Sequence, residues 1–319
     1  MKIAITGIDG IVGRHLAQSL LEEGHEIVLL GSPGEGTAVR LRNHRRVDLH
    51  PGDWGGGTSL GAALEGCDAL AHCACLPGTA EDSRDFSGFP ARTRLLAETA
   101  RRAGVQRFVL AGFLRARPGC GLPWLENLWQ AEEIIRHAGM EHLVVKCGLV
   151  YGPGDDFVKP LARTLAAWPL VVLPGKGALP VRPVRVDDVT RLLRSFLLER
   201  RPRWRTVAVT GPETVTLRQA VERVAEAAGS RITPLEYPSG IRQTAAWTVE
   251  KLFRQKNWLR PARLRLFGEP LDAALPYGAP PPKDLRPLIP FTTETIRESL
   301  PVAKARELEG FPEPRPSRR

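Results

Sequence analysis

The chain has 319 residues, with 45 Lys or Arg against 35 Asp or Glu and a formal net charge of +10. Hydrophobic residues make up 43% and charged residues 25%, the balance of a soluble globular protein large enough for one large domain and a smaller one. No apolar run reaches the length of a membrane span, and the arginines are scattered, so neither a spanning helix nor a nucleic-acid partner is expected.

The elements predicted in chain order alternate strand and helix. Lys2 to Thr6 reads as a buried strand, and Ile11 to Glu23 as a helix with Val12, Leu16 and Leu20 on one face. Gly24 closes that helix and Glu26 to Leu30 forms the second strand. Strands are expected at Ala69 to Cys73, Arg107 to Ala111 and His142 to Lys146. Helices are expected at Arg92 to Ala103 and Leu125 to His137. This rhythm implies an α/β fold, a Rossmann-type doubly wound parallel sheet, in residues 1–150. Residues 151–319 read as a smaller, irregular α/β domain, with segments around 180–230 returning to the first. There Val189 to Leu198 is predicted helical with Asp187 or Asp188 as N-cap, Thr206 to Thr210 extended, and Leu217 to Ala228 helical. Everything from Pro234 onward reads as irregular, apart from an aromatic, basic helix over Thr244 to Asn257.

The five cysteines, Cys67, Cys73, Cys75, Cys120 and Cys147, are odd in number and fit no zinc spacing. They read as reduced thiols of a cytoplasmic protein with no metal site and no signal peptide. Peripheral membrane contact stays open: Trp247 to Arg265 places Trp247, Phe253 and Trp258 among Lys251, Arg254 and Arg260, a composition that suits docking on a membrane or protein partner. Packing on the second domain explains the same residues.

Gly7, Gly10 and Gly13 stand three apart between the first strand and the first helix. The first permits a tight turn, the second lets the backbone approach a pyrophosphate, and the third lets the helix pack on the strand. The helix N-terminus then offers N–H groups and partial positive charge to phosphates. Three glycines are a weak signal alone, but Met1 to Leu30 supplies the whole β-α-β unit, so a nicotinamide dinucleotide is the expected ligand. No carboxylate ends the second strand, which runs Leu29, Leu30, Gly31, Ser32. Arg40 and Arg42 follow, favouring NADP over NAD. Asp53 could accept from the adenine amino group or shape a turn.

With these segments, together with Leu64 to His72, Ala103 to Val109, Leu149 to Gly154, Pro183 to Val189 and Thr210 to Glu213, the chain resembles the extended and atypical branch of the short-chain dehydrogenase/reductase superfamily, the NAD-dependent epimerase/dehydratase-like proteins. The resemblance covers most of residues 1–230. It implies that Gly7, Ile8, Asp9, Gly10, Ile11, Val12 and Gly13 lie along the pyrophosphate. It puts Asp53 at the adenine, and Ala71, Cys73 and Ala74 beside the ribose.

The family's chemistry uses a Tyr-x-x-x-Lys pair on the helix after the fifth strand, and a serine or threonine just after that strand. Here the aligned residues are Trp124, Leu128 and Gly112. None of the three tyrosines, Tyr151, Tyr237 and Tyr277, has a lysine four residues on. Trp and Leu exchange no proton near neutral pH. The expectation is a nucleotide-binding protein without standard dehydrogenase catalysis, using its cofactor structurally, for regulation or as a redox sensor. In this it is similar to the nucleotide-binding accessory subunit of respiratory complex I and to NmrA-like regulators. The alternative is an oxidoreductase or sugar-nucleotide epimerase/dehydratase with a relocated acid/base among His72, Cys120, Glu126, Lys146 and Cys147.

Overall fold

The computed structural model describes residues 1–31, 41, 44–51, 58–73, 87–155, 157–167, 170–174, 177–199, 205–237 and 287–300. Its centre is a seven-stranded sheet of β1 (Lys2–Thr6), β2 (Glu26–Leu30), β3 (Val47–His50), β4 (Ala69–His72), β5 (Arg107–Phe113), β6 (Glu141–Cys147) and β11 (Thr206–Val209). The strands run in the order β11-β6-β5-β4-β1-β2-β3, every pair parallel. Parallel strands need crossover helices, and these cover both faces.

Alternation along the strands decides which helices sit where. Ala4, Val28, Leu70, Phe108, Leu110 and Val144 share one apolar cluster with residues of α2 (Thr58–Leu64), α3 (Phe89–Arg102) and α4 (Pro123–Arg136). Ile3, Ile5, Ile27, Leu29, Val109, Val145 and Val207 face the other way, onto α1 (Ile11–Glu22) and α6 (Val186–Leu198). A one-residue slip in any strand would exchange these faces, so burial on both sides fixes the register.

Beyond the sheet, β7 (Val150–Tyr151) pairs with β10 (Val184–Arg185), and β9 (Pro180–Val181) with β12 (Val215–Thr216). The helix α5 (Val158–Ala167) packs against α7 (Leu217–Ala227). The region after Pro234 is not wholly irregular. Strand β13 (Thr233–Tyr237) pairs with β8 (Leu170–Pro174), and α8 (Thr293–Ser299) begins with a capping box at Thr292 and Thr295. The box satisfies two backbone donors that a helix start otherwise leaves open.

Several element ends differ from the sequence expectation. Helix α6 begins at Val186 with Arg185 as N-cap and no side-chain cap. Asp188 caps nothing there, because its buried carboxylate accepts from Ile289 N at 2.8 Å. Helices α3 and α4 each start earlier than expected, with a proline in the first turn where a missing N–H costs nothing.

Candidate functional site

The site is built at the carboxyl ends of β1 and β4. Gly7 turns the chain out of β1 at φ +74°, a conformation that favours glycine. Gly10 N then donates to Gly7 O at 3.0 Å, closing the turn. Gly10 is the N-cap of α1, no side chain caps the helix, and no acidic residue lies in its first turn. A Cβ at Gly13 would stand 2.4 Å from Gly7 O and 3.3 Å from Cys73 Cβ; one at Gly10 would stand 3.3 Å from Gly7 O. The result is a backbone-lined cradle at a helix N-terminus, which has the shape and partial charge for a phosphate.

Ile8, Ile11 and Val12 are buried beneath the cradle, and Asp9 is exposed at its tip. Ala71 and Cys73 are buried at the carboxyl end of β4, with Cys73 N donating to Thr6 O at 3.2 Å. Burial pushes the Cys73 thiol up to about 12, so it stays a neutral, packed thiol. Ser32, Arg40, Arg42, Asp53, Ala74 and Cys75 lie outside the described residues, as does Trp247 to Arg265.

His72 is a packed residue. It is fully buried, stacked on Phe89 with ring centroids 5.3 Å apart. Its Nδ1 lies 2.5 Å from Thr6 Oγ1 and its Nε2 3.3 Å from Thr93 Oγ1. Burial, aided by the Arg92 charge, lowers its pKa to about 3. The ring is therefore neutral at pH 7 and ties the end of β1 to α3.

The remaining candidates also have structural work. Glu126 accepts from Gly121 N at 3.1 Å and braces the loop before α4. The Cys120 thiol is buried and turned to Leu122 O at 3.7 Å. Cys147 is fully buried, and desolvation raises its pKa. Lys146 lies across from Glu132, Nζ to Oε2 at 2.8 Å, and also donates to Ala116 O at 2.7 Å. Both side chains are at most 1% exposed. Desolvation pushes the Glu132 carboxyl up and the Lys146 ammonium down, while each opposes the other's shift by pairing.

The three positions that the resemblance aligns with the family's proton relay hold no titratable side chain. Leu128 is fully buried in the apolar core and Trp124 packs on Phe113, ring centroids 6.0 Å apart. A Cβ at Gly112 would lie 2.7 Å from Glu132 Oε1, so the carboxylate fills the space that a serine would need. Among the described residues that Oε1 has no hydrogen-bond partner. Glu132 escaped the sequence reading, although it follows Trp124 and Leu128 at four-residue steps on one helical face.

Tyr151, Asp155, Arg185 and Asp188 are buried residues with polar groups, and none of them was a candidate site residue in the sequence. Asp155 accepts from the N–H groups of Gly152, Phe157 and Lys159 at 3.0, 3.2 and 2.9 Å and so fixes the start of α5. Among the described residues no cluster of His, Cys, Asp and Glu could hold a metal ion, and no helix is long and apolar enough to cross a membrane.

Residues 3–112 match the NAD dependent epimerase/dehydratase family. An uncharacterized protein of Mycobacterium tuberculosis is 29% identical over 260 residues, 79% of this chain but only 26% of that protein; the chain thus spans about a quarter of its length. Ceramide reductase of Caulobacter vibrioides is 28% identical over 61% of this chain and 60% of its own length. Photosystem II assembly factor Ycf39 of Synechocystis is 22% identical over 60% of each. Among solved structures, UDP-glucuronic acid 4-epimerase of Bacillus cereus, in complex with NAD, superposes with a TM-score of 0.64 at 18% identity, covering 75% of this chain and 88% of that one. At that identity the likeness is one of fold.

Proposed function

We propose that the chain, whose residues 3–112 match the NAD dependent epimerase/dehydratase family, binds a nicotinamide dinucleotide and does not perform the family's usual proton-coupled chemistry. The observation that carries this is a contrast: a backbone-lined cradle at Gly7, Gly10 and Gly13, and at the aligned relay positions Gly112, Trp124 and Leu128, none of which can move a proton. The bound group would supply hydride chemistry. The chain's own residues bind and orient it, the pyrophosphate along Gly7 to Gly13 and the ribose beside Ala71, Cys73 and Ala74. Asp53 sits at the adenine in this reading. Ser32 and Arg40, following a β2 that ends without a carboxylate, favour NADP. The nucleotide then serves structure, regulation or redox sensing, and residues 151–319 are the part that meets a protein or membrane partner, with Trp247 to Arg265 as the docking element. The relative named as an assembly factor supports this use.

The test is to purify the protein and measure co-bound and added NADPH and NADH by mass spectrometry and fluorescence. Tight binding of either, NADPH the tighter, with no turnover of carbonyl or sugar-nucleotide substrates, is the expected result. Neither nucleotide binding at millimolar concentration would overturn the proposal. The relative named as a reductase favours a second reading, an oxidoreductase with a relocated acid/base. Oxidation of bound NADPH on adding a carbonyl substrate would establish it.

A further inference from the structure

The cradle and the carboxyl-terminal segment of the described chain are joined by an unbroken run of specific contacts. The first turns of α1 carry Arg14 and His15. Arg14 donates to Gly154 O at 2.9 Å, and His15 Nε2 lies 2.9 Å from Pro153 O. Both carbonyls belong to the loop after β7, where Gly152 and Gly154 have φ of +151° and +79°. A Cβ on Gly152 would meet Val186 Cγ1 at 2.5 Å and Ile11 Cδ1 at 3.5 Å, so this loop lies close against the start of α6 and within contact range of the start of α1. The residue before it, Tyr151, donates to Pro290 O at 3.0 Å and lies 3.2 Å from Thr295 Oγ1. Its ring meets Phe291 edge-on, centroids 4.9 Å apart.

The segment 287–300 is then held by charged clips. Asp188 takes Ile289 N at 2.8 Å, Glu213 takes Phe291 N at 3.2 Å, and Arg185 pairs with Glu298 at 2.9 Å while donating to Thr295 O at 3.1 Å. Phe291 and Ile296 are fully buried. Three of these anchors, Tyr151, Arg185 and Asp188, stand beside the loop and α6, and α6 packs on α1.

We propose that occupancy of the cradle by a nicotinamide dinucleotide is coupled to docking of residues 287–300, with the Gly152 to Asp155 loop as the transmitting element. This rests on the nucleotide-binding reading above. A phosphate at the α1 N-terminus fixes the turn that carries Arg14 and His15. That turn fixes two carbonyls of a glycine-hinged loop, and the loop fixes Tyr151 against the segment. Linkage makes the effect reciprocal: nucleotide affinity differs between the docked and the undocked segment by the same factor as docking differs between the bound and the free chain. The nucleotide's output would then be the tightness of a carboxyl-terminal element rather than a product.

The experiment is hydrogen–deuterium exchange of the full chain with and without saturating NADPH or NADH, with binding measured separately by fluorescence. The expected result is slower exchange in peptides covering 151–155 and 287–300, by about fivefold or more. His15→Ala is expected to bind nucleotide and to lose the difference at 287–300. Tyr151→Phe, which removes only the hydroxyl, is expected to halve it or more and serves if the first variant does not fold. Nucleotide binding with unchanged exchange at 287–300, or a difference that survives in both variants, would overturn the coupling. Absence of nucleotide binding would instead overturn the reading on which it rests.

Discussion

Gly13 has no room for one further carbon, because its neighbour is the carbonyl of Gly7, a backbone atom that cannot swing away. Gly13→Ala is therefore expected to displace the α1 start and lower nucleotide affinity at least tenfold, checked by fluorescence titration beside a thermal melt. His72 makes a pH prediction. Its folded pKa lies near 3 against an ordinary 6.5, so between those values the unfolded chain binds the extra proton and stability falls as pH falls. At pH 5 the loss is about 2 kcal/mol relative to neutral pH. Urea unfolding at pH 5 and pH 7 measures it, and His72→Asn should flatten the slope. Lys146→Met strips the buried Glu132 of its nearest cation, leaving Arg136 at 3.0 Å, and is expected to cost about 3 kcal/mol. Adding Glu132→Leu should recover most of it, again by urea unfolding. The glycines were legible in the sequence because their signal is local. The Glu132–Lys146 pair was not, because its members come together only when β6 and α4 pack.

Helix α4 presents Trp124, Leu128 and Glu132 in successive turns of one face, so the whole face is committed to packing and to one buried ion pair. Restoring the family's residues there is expected to fail. Trp124→Tyr with Leu128→Lys puts an ammonium into a fully buried apolar site, and the expected outcome is a loss of several kcal/mol with no gain of carbonyl reduction. A melting curve and an NADPH oxidation assay check the two halves. Helix and strand bodies were legible from periodicity, but their ends were not. Asp187 and Asp188 looked like caps for α6. The carboxylate of Asp188 instead accepts from Ile289, 101 residues downstream, a partner that no local window contains. Strand β13 and helix α8 were missed for the same reason: each is made stable by a partner strand or helix distant in sequence.

At the scale of the molecule, the alternation of strands with helices was enough to predict a doubly wound parallel sheet, and the seven-stranded order bears it out. The path of the chain after β7 was less visible, because it is set by buried polar contacts rather than by apolar period. Tyr151, Arg185, Asp188 and Glu213 each reach a backbone group between Ile289 and Thr295. The positive charge also takes on a different meaning here. Arg185, Arg191, Arg194 and Arg223 are each paired with an acid, so these four cations brace the fold and the net positive excess resides in other residues.

The outermost strand of the sheet, β11, follows β6 only after 58 intervening residues, Gly148 to Arg205. During synthesis, β6 therefore emerges as a seven-residue edge with open N–H and C=O groups, flanked by apolar side chains, well before its cover exists. That interval is a window for pairing with the wrong strand. A ribosome-arrested chain ending near residue 150 is expected to aggregate, whereas one arrested once 206–209 have cleared the exit tunnel should be soluble, a difference that pelleting of released chains would measure.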